Sequence, residues 1–320
     1  MRSIQIWTCK ASQSRRFGSS KKTAPTIEAI HVLSRIGLSG PAVAPSSRFV
    51  NIRQIALEGG LRMTLPLAEG FTLGVQTIHR RTEPSTERWI PSLEDGRDVV
   101  ELVDRLGFDS IWVGDHLAFA IPMLDPVVQL AQAAVFSTRL KFGTAVFLQP
   151  LRHPGPTAKQ IATLDLLSNG RFIFGLGVGG EFESDFSVAG VPITERGSRL
   201  AESIEVMRKL WSGQRVSHYG RHFQFEQILM EPSPCQLGGP PIWLGGRSAA
   251  ALRRAAQMAD GWMSYVVTPD MYRESLDKIE DEYDRSGRVI EQFASAHLLF
   301  TRLDKDYETA LNTCLLYTSP

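Results

Sequence analysis

The stretch KFGTAVFLQPLRHPGPTAKQIATLDLLSNGRFIFGLGVGG, residues 141–180, decides the fold. Residues 141–148 are rich in β-formers and end at Gln149-Pro150. Pro154 and Pro156 suit a first helical turn, where a missing N–H costs nothing. Ala158, Ile161, Ala162, Leu164 and Asp165 then follow helical spacing, and Asn169-Gly170 stops the helix. Residues 172–178 form a second strand, apolar on both faces apart from glycine. Such a strand belongs in a parallel sheet covered on both sides. The unit is βαβ with a right-handed crossover.

Gly175, Gly177 and Gly180 formally match G-x-G-x-x-G. A dinucleotide fingerprint needs a helix opening inside the motif and an acid ending the next strand. Here the chain runs on through residues 181–192, which read as a loop. The glycines are better explained by a strand end that something flat approaches closely.

Working outward, strands alternate with helices. Residues 71–78 form the first strand, and a polar loop follows. Ser92 caps a helix with Val99, Leu102, Val103 and Leu106 on one face, ended by Gly107. Residues 108–113 form the second strand, and Pro126 opens a helix carrying Val127, Leu130 and Ala134. After the loop at 181–192, Thr194 and Glu195 start a helix that Gly213 ends. Residues 216–229 read as a hairpin insertion. Strands follow at 240–244, 261–267 and 293–303. Between them lie a helix capped by Ser248 and one from Pro269 to Arg285; another starts at Asp306. The alternation predicts a parallel sheet, and about seven such units predict a (β/α)8 TIM barrel cut off before its eighth strand.

The ends read differently. Residues 1–62 hold Arg15-Arg16, Lys21-Lys22 and many serines, but only Glu28 and Glu58 as acids. They are either a transit-type leader or miscalled coding sequence upstream of a start at Met63, with the second preferred. We expect them to be disordered and outside a barrel domain at 63–311. The tail TCLLYTSP, spanning 312–320, reads as vector or adapter sequence.

Composition is that of an ordinary globular chain: 320 residues, 43% hydrophobic, 22% charged, net charge +1. Such a charge gives no argument for nucleic acid or a membrane surface, and no apolar run is long enough for a bilayer. Cys9, Cys235 and Cys314 lie far apart without C-x-x-C spacing, which points to a reducing, cytoplasmic compartment and no metal site.

Ligands of a barrel sit beyond the carboxyl ends of its strands. Asp115-His116, Thr144 to Val146, Arg152-His153, Gly177 to Glu181, Gly245 to Ser248 and Trp262 to Tyr265 all fall there. At Asp115-His116 an acid could position an imidazole that titrates near neutrality, or cap the next segment beside a packing histidine. Gly245-Gly246-Arg247-Ser248 turns a strand into a helix; it is an anion site, or an ordinary turn with a serine cap. Arg152 either binds a carboxylate or phosphate, or pairs with Asp165 or a neighbouring strand's acid. Trp211 and Trp243 continue apolar faces and read as core. His218 and His222 have no acid near them in sequence and read as surface residues.

Four pieces in order, LKFGTAVFLQPLRHP, AKQIATLDLLSNGRFIFGLGVG, GVPITERGSRLAESIEVMRKLWSG and PPIWLGGRSAAALRRAAQMADGW, resemble the luciferase-like monooxygenase superfamily. The group they most resemble is its coenzyme F420 (deazaflavin)-dependent oxidoreductases, over about residues 71–303. The resemblance implies a barrel enzyme that moves hydride to or from a small organic substrate. An FMN monooxygenase with a separate reductase, and an inactive or ligand-binding barrel, are the alternatives. It implies His116 in proton transfer, with Asp115, Thr144, Ala145, Val146, Gly177 and Gly179 against the cofactor ring. It also implies cofactor phosphate at Gly245, Gly246, Arg247 and Ser248, and a non-proline cis peptide at Ala145-Val146. Arg152 and Glu181 are left as candidates for substrate or anion contact. A flavin or F420 reductase and a second copy in a homodimer are the protein partners it admits. In the family's sugar-phosphate dehydrogenases an acid directly follows the glycine strand. Here Gly180 stands there and Glu181 comes next, which argues against sugar-phosphate oxidation and leaves the substrate open.

Overall fold

A computed structural model describes residues 65–68, 70–76, 92–119 and 122–299. The expected leader at 1–62, the helix from Asp306, the tail at 312–320 and the far ends of the first and last strands lie outside those residues. The strands are β1 Gly74–Gln76, β2 Ser110–Val113, β3 Lys141–Thr144, β4 Phe147–Leu148, β5 Phe172–Gly177, β6 Val216–Tyr219, β7 Gln224–Ile228, β8 Ile242–Gly245, β9 Gly261–Tyr265 and β10 Ala294–Leu298. The helices are α1 Leu93–Arg105, α2 Pro126–Phe136, α3 Pro154–Leu167, α4 Glu183–Ala189, α5 Arg196–Leu210, α6 Ala249–Met258 and α7 Pro269–Ser286.

Eight strands form one sheet: seven in the order β1-β2-β3-β5-β8-β9-β10, each paired in parallel with its neighbours, and β4, which also pairs in parallel with β5. β6 and β7 make the expected separate antiparallel hairpin. Among the described residues β1 and β10 end the order without pairing with each other. The chain ahead of β1 instead lies along the start of β10: Phe293 donates its N–H to Pro66 O at 2.7 Å, and Ala68 N–H donates to Phe293 O at 2.8 Å.

Local chemistry explains the helices. Ser92 accepts from Asp95 N at the start of α1, and Asp125 accepts from Val127 N and Val128 N ahead of Pro126 in α2. The inward face of α1 is Gly96, Val100 and Val103, with Val99, Leu102 and Leu106 half-buried on its flanks. This rotates the face expected from sequence by a fraction of a turn. In α3, all five residues picked by spacing are buried. His153 caps it by accepting from Gly155 N, and Asn169 and Gly170 take positive φ just beyond it. Every residue of β5 is buried, as a strand covered on both faces must be. Phe172 and Phe174 are fully buried, each contributing about 1.5–3 kcal/mol relative to exposure.

Residues 181–192 are not the loop the sequence suggests. They carry α4, ended by Gly190 at φ 66°, and a 3₁₀ turn, Ile193–Glu195, follows. Phe186 of α4 packs with Leu148 and Leu151, with Val146, Ala189, Val191 and Ile193 around them. This cluster seats α4 over the end of β4.

Candidate active site

The end of the third strand is interrupted. Phe142 and Gly143 pair with Phe172 and Ile173, each 30 positions on, whereas Phe147 and Leu148 pair with Leu176 and Gly177, each 29 positions on. One extra residue is therefore inserted between β3 and β4, a bulge. The Ala145-Val146 bond within it is cis, at the position the resemblance implied. The glycines of β5 are fitted to this bulge. A Cβ on Gly175 would lie 1.8 Å from Thr144 O, and one on Gly177 would lie 2.4 Å from Val146 Cγ2. Gly245 of β8 faces the other methyl of Val146 at 3.0 Å. A close neighbour is indeed what the glycines serve, but that neighbour is the adjoining strand. Thr144 is fully buried and its hydroxyl donates to Gly175 O at 2.6 Å, so this group is spent inside the sheet. Gln76, at the end of β1, donates to Ala145 O at 3.3 Å.

Asp115 does not orient His116. Its fully buried carboxylate accepts both guanidinium nitrogens of Arg152, Nη2 at 2.9 Å from Oδ1, and also Leu148 N at 2.8 Å. Arg152 stacks over Phe147 at 4.2 Å and lies 3.6 Å from Asp125. Of the alternatives open for Arg152, the structure selects the acid of the neighbouring strand; Asp165 is instead bound by Gln236 N and Nε2. The pair ties the end of β2 to β4. Removing one member strands a buried charge, so Arg152→Ala is expected to cost about 3–5 kcal/mol. Urea unfolding measures it, and a loss below about 1 kcal/mol would show that water already reaches Asp115.

His116 finds its acid on α4. Asp185 Oδ2 lies 2.7 Å from His116 Nδ1, and Oδ1 accepts Leu117 N and Ala118 N at 2.8 Å each. Ser184 Oγ donates to Ala118 O beside them. Phe119 stacks on the imidazole at 4.5 Å and Phe182 meets it edge-on at 5.2 Å. Burial pushes the Asp185 carboxyl up, but hydrogen bonds from His116, Ala118 and Leu117 outweigh it and hold the group below the usual carboxylate range. The imidazole keeps 21% of its side-chain surface exposed.

The turn after β8 leads into α6. Ser248 caps the helix by accepting from Ala251 N, and Gly246 sits at φ 126°, where a Cβ would press on Ala251. Gly246 O accepts from Trp262 Nε1 at 2.8 Å. Arg247 is exposed, donates to Val266 O and lies over the Tyr265 ring at 5.3 Å. The Tyr265 hydroxyl donates to Glu181 across the sheet. Burial, then that carboxylate, push the phenol up. Glu181 and Arg247 thus flank one tyrosine at the carboxyl ends of β5, β8 and β9.

A family model described as luciferase-like monooxygenase matches residues 71–318 of this chain. The chain belongs to that family. Among curated proteins, the F420-dependent glucose-6-phosphate dehydrogenase of Nakamurella multipartita is 28% identical over 241 residues, 71% of this chain and 68% of that one. The oxygenase component of the flavin-dependent trigonelline monooxygenase of Acinetobacter baylyi is 27% identical over 207 residues, 64% and 57% of the two. The chain spans 57% of the length of mycobacterial relatives to which it is 35% identical over 169 residues. Among solved structures, the coenzyme F420-dependent tetrahydromethanopterin reductase of Methanopyrus kandleri superposes with a TM-score of 0.65 at 22% identity, over 78% of this chain and 73% of that one. That likeness speaks for the fold, a barrel of the luciferase-like type. No helix among the described residues is long and apolar enough to cross a membrane.

In this luciferase-like chain the hairpin histidines are not surface residues. The His218 side chain is 5% exposed, 3.3 Å from Glu202 and 3.6 Å from Glu205; that of His222 is 4% exposed, 3.6 Å from Glu195 and 2.9 Å from Ser198. Glu202 also accepts from the His222 and Phe223 amides. The missing acids come from the preceding stretch, at the start of and along α5, and they pin the hairpin to that helix. Trp211 is core, as expected. Trp243 is half-buried and stacks on Trp112 at 5.2 Å.

Proposed function

We propose that the chain is an oxidoreductase that holds coenzyme F420 at the carboxyl ends of its strands and serves hydride transfer to or from a small organic substrate. The observation that carries this is one pairing: the imidazole of His116 and the glycine turn Gly245 to Ser248 at a helix N-terminus stand at the same end of one parallel sheet. The residues present fit the group. The turn offers an exposed guanidinium, a helix N-terminus and no acid of its own, which suits phosphate. Gly114, beside His116, meets only ordinary contacts from Met123, Gln76 and Ala145 O, the nearest 3.4 Å from an added Cβ. Arg247, Ser248 and the first amides of α6 would hold phosphate, and Ala145, Val146 and Gly177 to Gly179 would lie against the ring. When bound, the deazaflavin supplies the two-electron chemistry. His116 gives or takes the accompanying proton at the substrate.

The F420-dependent dehydrogenase relative named above supports F420. The trigonelline oxygenase supports the second reading, an FMN monooxygenase, because the same turn suits an FMN phosphate. A compartment with few disulfides and, for the second reading, a reductase partner would go with these proposals. Titration of the purified chain with each cofactor decides between them. Quenching of deazaflavin fluorescence with saturation is the expected result. Tight FMN retention without deazaflavin binding would select the monooxygenase, and binding of neither would remove both readings in favour of a barrel without this chemistry.

A further inference from the structure

We infer that Asp185 is the positioning residue for His116: its carboxylate keeps the proton on Nδ1 and leaves Nε2 as the atom that exchanges a proton. This rests on the reading of His116 as the proton-exchanging group. The geometry is specific. The Asp185 side chain is 2% exposed and both its oxygens are spent on three consecutive residues, His116 Nδ1 through Oδ2 and the Leu117 and Ala118 amides through Oδ1. An ionised carboxylate only accepts, so at 2.7 Å the ring nitrogen must donate, and the neutral imidazole then carries its lone pair on Nε2. The backbone amides keep the carboxylate ionised and fixed, so the imidazole cannot rotate away without losing its acid.

The surroundings leave Asp185 as the charge that matters. Phe119 and Phe182 wall the ring on two sides and carry no charge. On the β2 side, Asp115 is neutralised by Arg152, which also reaches toward Asp125. On the α4 side, Glu183 is exposed, and Glu181 is engaged by Tyr265. An asparagine at that place can accept or donate, so it no longer fixes which ring nitrogen holds the proton. For a merely structural clamp the choice of ring nitrogen would not matter to turnover.

The test is NMR of ring-labelled histidine in the full chain without cofactor, paired with turnover. In the wild type with the ring neutral, ¹⁵N shifts should report a proton on Nδ1 and a bare Nε2. In Asp185→Asn the neutral ring should no longer hold its proton on Nδ1 alone, and turnover should fall about 10²-fold or more, as loss of the right tautomer does. Asp185→Glu should restore part of both. The opposite tautomer in the wild type overturns the inference without any variant, so misfolding of Asp185→Asn cannot shelter it. An unchanged tautomer or unchanged turnover in folded Asp185→Asn, with His116→Ala impaired, also overturns it. Failure of the underlying reading looks different: Asp185→Asn shifts the tautomer, while His116→Ala leaves turnover intact.

Discussion

His116→Ala lowers turnover about 10²–10⁴-fold, the usual contribution of a general acid–base group, while affinity for the deazaflavin falls far less. The two effects separate because they arise at different strands. The proposed proton group sits after β2, where Asp185 meets its Nδ1. The proposed anion turn sits after β8, at the N-terminus of α6. The rival account gives His116 a packing role, since Phe119 and Phe182 enclose it. That account predicts a lower melting temperature and unchanged turnover per folded molecule. Turnover and cofactor affinity measured on the folded fraction separate the two. Unchanged turnover would remove His116 from the chemistry and leave the anion turn in place.

Gly175→Ala has the largest expected effect on stability among the glycines at the strand ends. Its new methyl would stand 1.8 Å from the carbonyl oxygen of Thr144. The obstacle is backbone, locked in the sheet by the bond from Ala145 N to Val113 O and by the Thr144 hydroxyl on Gly175 O. No rotamer change relieves it, so β3 and β5 must part. Overpacking of this kind costs about 3 kcal/mol or more, a fall in melting temperature of roughly 6–12 °C for a domain of this size. Gly177→Ala meets a Val146 methyl at 2.4 Å, a side chain that can give somewhat, and should cost less. Gly114→Ala meets only ordinary contacts from 3.4 Å and should stay within about 1 kcal/mol of wild type. Thermal melts of the three variants check the ranking. Equal losses at Gly175 and Gly114 would mean that the bulge is not fitted to β5.

The parts legible in the sequence are those governed by local periodicity and punctuation. The α3 face, the doubly buried β5 and the parallel order follow from residues a few positions apart. The α4 helix is hidden by Glu181, Glu183, Ser184 and Asp185, polar residues that read as a loop ahead of Gly190. The signal that could have revealed it is Phe182 and Phe186 at i,i+4 with Gly190 as a stop. Asp115 beside His116 misleads for a geometric reason. Adjacent side chains need not share a side: here the acid meets Arg152 while the imidazole meets Asp185 of α4. The partner of His116 lies 69 positions away, where only the fold can bring it. The glycines of β5 revealed a close approach but not its source, because the approaching group is a bulge some thirty residues upstream. His218 and His222 were misjudged similarly: Glu195, Glu202 and Glu205 reach them only once the hairpin folds back on α5.

The most direct test of a cofactor site at the strand ends is hydrogen–deuterium exchange of the full chain with and without F420. The account predicts slowed exchange confined to four segments: 114–119, 144–148, 177–181 and 245–251. Each follows a different strand, and all lie at one end of the sheet. Saturable binding with protection at the opposite, amino ends of the strands, or protection absent from both 114–119 and 245–251, would contradict it.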